Sequence, residues 1–118
     1  MDLKAVNTGR GTILATRLQV ADTFSRRLVG LLGRSGLEEG AGIWIRPCRA
    51  VHTIGMRFPI DVIFLDADDR VVKTAAGVAP FQICLGGKNA KSALELPIGT
   101  IERSRTRPGD RIDLVEDA

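Results

Sequence analysis

The sequence predicts a mainly β fold: a small β-sandwich or open barrel of short, mostly antiparallel strands, with one short α-helix at about residues 23–32. Three observations carry that expectation. Short apolar or alternating runs recur along most of the chain. Turn signals rich in Gly, Pro and Asp interrupt them at intervals of about eight to twelve residues. Only one window shows helical periodicity, so the strands have little to pack on except each other.

The chain of 118 residues is the size of one ordinary domain, and 44% hydrophobic against 26% charged residues is a globular composition. Residues 1–11, polar and ending in Gly9-Arg10-Gly11, are expected to be a loose N-terminal tail, with residues 12–118 forming a single β-rich domain. The first strand is Thr12–Val20, whose second half alternates Thr16, Leu18 and Val20 with Arg17 and Gln19. Asp22 or Thr23 can cap the helix that follows. Its apolar stripe is Phe24, Leu28, Leu31 and Leu32, and Gly33 can supply the left-handed residue at its end.

From Gly42 the pattern is of strands: 42–46 stopped by Pro47, 49–54 stopped by Gly55, and 60–66. Ile60-Asp61-Val62-Ile63-Phe64-Leu65 has large side chains on both faces, as a strand covered on both sides requires. Asp66-Ala67-Asp68-Asp69 is a turn by composition, returning antiparallel into residues 70–76. Further strands are expected at 81–85, 92–96 and 111–115, the last two separated by Pro108-Gly109-Asp110.

Composition also narrows function. No apolar run has the length of a signal peptide or a membrane span, so a cytoplasmic protein with no membrane partner is the expectation. The net charge of +3 is modest, and the arginines at 103, 105, 107 and 111 lack interleaved aromatics, which disfavours nucleic acid. Two cysteines, Cys48 and Cys84, stand far apart and are expected to be reduced. No complete metal, cofactor or catalytic motif is present. Gly86-Gly87-Lys88-Asn89 lacks the first glycine and the hydroxyl residue of a phosphate loop. Asp66, Asp68 and Asp69 lack the glycine and glutamate of a calcium loop.

The stretch His52–Asp66 is the most informative. It holds the only histidine and places Asp61 within an apolar run, where an ionised carboxylate must be paired, hydrogen-bonded or neutralised. If the Gly55–Pro59 corner joins neighbouring strands, its length decides whether Thr53 or His52 lies opposite Asp61, because a one-residue slip exchanges the faces. Arg27 or Arg34 can also reach the carboxylate. Glu95, between Leu94 and Leu96, faces either solvent or a cleft shared with His52 and Arg57. The candidate polar cluster is therefore His52, Thr53, Arg57, Asp61, Glu95, Arg27 and Arg34, either as a ligand site or as a structural tie. Cys48 and His52 are four apart on one extended segment, too far for a Cys–His pair.

Five separated blocks, Arg27-x-x-Gly30-Leu31-x-Gly33-Arg34, Gly42-Ile43, His52–Asp66, Leu94-Glu95-Leu96-Pro97-x-Gly99 and Gly109-Asp110, occur in an order that resembles the domain of unknown function 192 family. The resemblance spans about residues 12–115 and implies a compact β-rich domain without implying an activity. Many family members have Phe-Trp-Met-Lys-Asn-Thr where this chain has Val51-His52-Thr53-Ile54-Gly55-Met56, whereas others have His at the Trp position. The expected function is a binding or accessory module for a small polar ligand or a partner protein, of undetermined oligomeric state. The rival expectations are a hydrolase-like enzyme using His52 with Asp61 or Glu95, and a structural protein oligomerising through a sheet edge.

Overall fold

The computed structural model describes residues 3–21 and 36–116. The helix expected at 23–32, with Arg27 and Arg34, lies outside the described residues. The described elements are β1 (Leu3–Asn7), β2 (Thr12–Ala21), β3 (Ala41–Ile45), β4 (Ala50–His52), β5 (Ile60–Leu65), β6 (Val71–Val78), β7 (Ile83–Leu85), β8 (Ser92–Pro97), α1 (Thr100–Ser104) and β9 (Ile112–Glu116).

Seven strands form one sheet in the order β6-β5-β8-β3-β2-β1-β9, antiparallel except at β2–β3. Its two ends approach each other. Arg70 bridges Arg111, the Val71 amide donates to the Asp110 carbonyl at 2.7 Å, and the Ile112 amide donates to the Asp69 carbonyl at 3.0 Å. These bonds curl the sheet into a half-barrel, so its edges are largely consumed by each other. A separate ribbon pairs β4 with β7.

Alternation along the central strands divides the interior into two cores. Trp44, Ile63, Leu65, Leu94, Leu96, Leu14 and Ile112 fill the concave side. Ile43, Ile45, Ile60, Val62, Phe64 and Ala93 face the convex side, where Val51 and Met56 cover them and Cys48 and Cys84 pack alongside. Each strand of the β3-β8-β5 centre thus buries both faces, which explains the unbroken apolar run of residues 60–65. Trp44 is fully buried, and its indole N–H donates to the Ser92 hydroxyl at 2.9 Å. That bond removes the cost of hiding a polar group in the core.

Two expectations are corrected. Residues 3–7 are not a loose tail but strand β1, between β2 and β9, with Ala5 and Asn7 fully buried. Its hydrogen-bond partners come partly from the far end of the chain, so local pattern does not reveal it. The Gly55–Pro59 corner does not join paired strands either. β4 pairs with β7 in the ribbon, while β5 pairs with β6 and β8 in the large sheet.

Candidate functional site

Asp61 lies on β5 opposite Leu96 of β8, and neither Thr53 nor His52 takes the place across from it. Its side chain is fully buried on the concave side. One carboxylate oxygen accepts the Gly77 amide at 2.9 Å and the other accepts the Ile101 amide at 2.9 Å. Both donors are products of local backbone geometry. The β5–β6 register slips by one residue between Ile60 and Val62, and Gly77 takes a left-handed φ of 63° in the resulting bulge. The first residue before α1, Gly99, provides no side chain to cap the helix. Asp61 supplies that cap from a different strand.

Thr53 is likewise fully buried and spent on backbone. Its hydroxyl donates to the Ala79 carbonyl at 2.6 Å and accepts the Gln82 amide at 2.8 Å. Its carbonyl accepts the Phe81 amide at 3.0 Å and the Met56 amide at 3.1 Å. Thr53 therefore clamps the loop leading into β7, and Asp61 plays no part in that clamp. Glu95 is buried on the convex side, paired in register with Ile43 and Val62, and it is not without a polar partner. Asp61 and Glu95 thus point to opposite faces of one sheet. His52 and Arg57 are exposed. Two backbone amides take the oxygens of Asp61, and His52 is exposed, so the described residues do not assemble the His52–Asp61 pair of the hydrolase expectation. Arg27 and Arg34 lie outside the described residues.

The other sequence candidates resolve into turns. The Asp66 carboxylate accepts the Asp68 and Arg70 amides at 2.9 and 3.0 Å, so it organises its own hairpin. Arg103 donates to the Ile13 carbonyl, and Arg111 pairs with Asp113 at 3.1 Å. Beside the hairpin, Arg46, Lys91, Asp66, Asp69 and Ser92 line a cleft of about 470 Å³. Burial raises the Asp69 carboxyl above its usual range, against the pull of the Arg46 and Arg111 charges.

The unexplained surface is the outer face of the ribbon. Val51 and Cys84 are opposite each other and turn inward, so their neighbours turn outward. Outward are Ala50 beside Leu85 and His52 beside Ile83. Ile83 is 68% exposed, Leu85 62% and the adjoining Phe81 71%, with Ile54 at the nearby corner also open. Phe81 is held at a φ of 63°, a left-handed conformation costly for a bulky residue. A strained aromatic, clamped by Thr53 and turned to solvent, has no role in the core. The sequence signal for this surface is Phe81-x-Ile83-x-Leu85, with period two between Pro80 and Gly86. Pattern alone reads such a run as a strand, but not which face it shows to water.

Comparison with known proteins agrees with this architecture. Residues 5–114 match the sequence profile of DUF192, described as "Uncharacterized ACR". A UPF0127 protein of Thermococcus sibiricus is 31% identical over 113 residues, covering 92% of this chain and 72% of its own. A UPF0127 protein of Pyrococcus furiosus is 30% identical, covering 92% and 95%. A crystal structure of a protein of unknown function from Novosphingobium aromaticivorans superposes with a TM-score of 0.80 at 23% identity, covering 94% of this chain and 82% of that one. That likeness shows the fold.

Proposed function

The chain belongs to the domain of unknown function 192 family, and we infer that it acts as a binding or accessory module whose docking face is the outer side of the β4–β7 ribbon. One observation carries the reading. Phe81, Ile83 and Leu85, three large apolar side chains on alternate positions of one short segment, are the most exposed of the large apolar residues described, whereas the other exposed ones, Ile13, Ile54, Ile98, Leu114 and Val115, are spread over several other segments of the chain. Clustered apolar exposure, unlike scattered exposure, marks an interaction surface. A partner protein is the occupant that such an apolar face supports.

A photo-crosslinking residue placed at Leu85 is expected to capture a discrete partner in cells, while the same residue placed at Arg105, exposed at the C-terminal end of α1, captures none. The added substitution Ile83→Ser is expected to abolish the capture without lowering the melting temperature. Equal capture from both positions, or capture indifferent to Ile83→Ser, would defeat the reading.

The cleft beside the 66–70 hairpin favours a second reading, a small polar ligand held by Arg46, Lys91 and Asp69. A panel of small anions and amino acids would then raise the melting temperature of the wild type but not of Lys91→Ala.

A further inference from the structure

The ribbon has a chemical polarity beyond its apolar face. Between Gly40 and Ile60, and again between Arg70 and Leu94, the chain contains no Asp or Glu, although it has 14 of them in all. Those two segments supply β4, β6 and β7. Arg49, Arg57, Lys73 and Lys88 lie within them and are exposed. Lys73 reaches from β6 to the ribbon, donating to the Leu85 carbonyl at 2.6 Å. The charged side chains carried by the segments that build the ribbon are therefore all basic.

Among the described residues no third strand pairs with the ribbon, whose sheet contains β4 and β7. The Gly86 amide donates to the Arg49 carbonyl at 2.8 Å, and the Thr53 amide donates to the Gln82 carbonyl at 2.8 Å. These fix the alternation of the antiparallel pair: positions 49/86, 51/84 and 53/82 face one another through hydrogen bonds, and 50/85 and 52/83 do not. The main-chain groups of Ile83 and Leu85 consequently point away from β4, along the edge of β7 that pairs with no described strand and where Lys73 meets the Leu85 carbonyl. Their side chains, two residues apart, share the exposed face.

An edge that pairs with no described strand, two apolar side chains at strand spacing and basic flanking segments together specify an occupant. Resting on the binding-module reading above, we propose that the β7 edge receives an extended, acidic segment of a partner protein as a third strand. Its main chain meets the Ile83 and Leu85 amides, and its apolar side chains lie beside Ile83, Leu85 and Phe81. Its carboxylates meet Lys73, Lys88 and Arg49, with Lys73 leaving the Leu85 carbonyl for the incoming strand. A bilayer is a poorer fit, since pressing this edge into hydrocarbon leaves its amides without acceptors. A second copy of the chain is poorer still, since it sets one basic rim against another.

The test is an NMR titration of the isotope-labelled full chain with three short peptides: one alternating Val and Glu, one alternating Val and Lys, and the acidic one N-methylated at alternate backbone nitrogens. The acidic peptide is expected to move the amide signals of Ile83 and Leu85 and slow their hydrogen exchange. It should bind at least about tenfold more tightly than the Lys peptide, an advantage that shrinks as salt is raised. The N-methylated peptide should not bind. Equal binding of the Lys peptide, retained binding after N-methylation, shifts confined to another surface, or no binding each overturn strand addition. So does a ribbon that responds only to phosphatidylglycerol vesicles, which puts a membrane in the partner's place. If the crosslinker at Leu85 still captures a partner when the acidic peptide fails, strand addition falls and the docking face stands. If both fail, both fall.

Discussion

The Asp61 corner and the β4–β7 ribbon are neighbours in sequence, β4 ending at His52 and β5 carrying Asp61, yet they occupy opposite physical regimes. At the corner a carboxylate with no exposure accepts an amide at 2.9 Å on each oxygen. On the ribbon, apolar side chains that belong in a core stand in water. A buried polar group that is fully satisfied is a structural device; a cluster of exposed apolar groups is an unfinished interface. The most conspicuous residue in the sequence is thus the less informative about function.

The largest effect that tests this contrast is at the corner. Asp61→Ala leaves the Gly77 and Ile101 amides buried without acceptors, and is expected to lower stability by about 3 kcal/mol. Asp61→Asn retains one acceptor oxygen and should lose roughly half as much. Urea unfolding measures both. A loss below about 1 kcal/mol for Asp61→Ala would mean that the corner is not the anchor its geometry describes.

Next in size is the contact that seats the ribbon on the barrel. A Cβ on Gly86 would lie 2.5 Å from a Phe64 ring carbon and 2.6 Å from the Ala90 methyl. Gly86→Ala must therefore push β7 outward or displace Phe64, at a cost of about 2 kcal/mol. If the ribbon is held as a unit, the amide signals of Val51 and Cys84 shift with it. Should they stay unmoved while stability falls, β7 and β4 respond separately and the ribbon is not one body.

The sequence revealed the β-rich class, the 60–66 strand, its hairpin at Asp66 and the anomaly at Asp61, because each rests on local alternation or local turn chemistry. It did not reveal β1, whose residues become a strand through bonds to β9 at the other end of the chain. Nor did it reveal Asp61's partners. Those depend on a bulge that rotates Gly77 and on the start of a five-residue helix, α1, some 40 residues away. Candidate site residues were chosen for polarity, and polarity led to the interior. Thr53 and Asp61 are bonded to backbone groups, Glu95 faces the other side of the sheet, and His52 stands exposed at the end of β4. The apolar surface stayed hidden because period two identifies a strand without saying which face meets water.

A smaller effect, dependent on pH, lies where the two ends of the large sheet meet. Burial raises the Asp110 carboxyl, but hydrogen bonds from the Arg10 and Asn7 side chains and the Arg107 amide outweigh it and hold the pKa at about 2. Its folded value is below its unfolded one. The stabilisation is therefore present above the unfolded pKa of about 4 and is lost as pH falls through about 2. Since Arg10 is a third exposed, we expect about 1 kcal/mol. Urea midpoints between pH 5 and pH 2 should drop less for Asp110→Asn than for the wild type. The same titration should leave the amide signals of Ile83 and Leu85 unchanged, separating this tie from the docking face.

The smallest stability effect is the one that most sharply divides the two regions, because it reverses sign. Phe81 is 71% exposed and sits at a φ of 63°, so its ring contributes little burial while its backbone carries strain. Glycine adopts that conformation freely, although it also gives the unfolded chain more freedom to lose. The balance for Phe81→Gly is expected to be a gain of about 0.5 kcal/mol, read as a small rise in urea midpoint. The Thr53 clamp survives, since it holds the Phe81 amide and not the ring. Partner capture through Leu85 should nevertheless fall sharply. A variant that folds better and binds worse is the signature of strain retained for recognition. If Phe81→Gly is instead destabilising and binding is untouched, the ring packs where the structure shows it exposed, and the docking face must be redrawn around Ile83 and Leu85 alone.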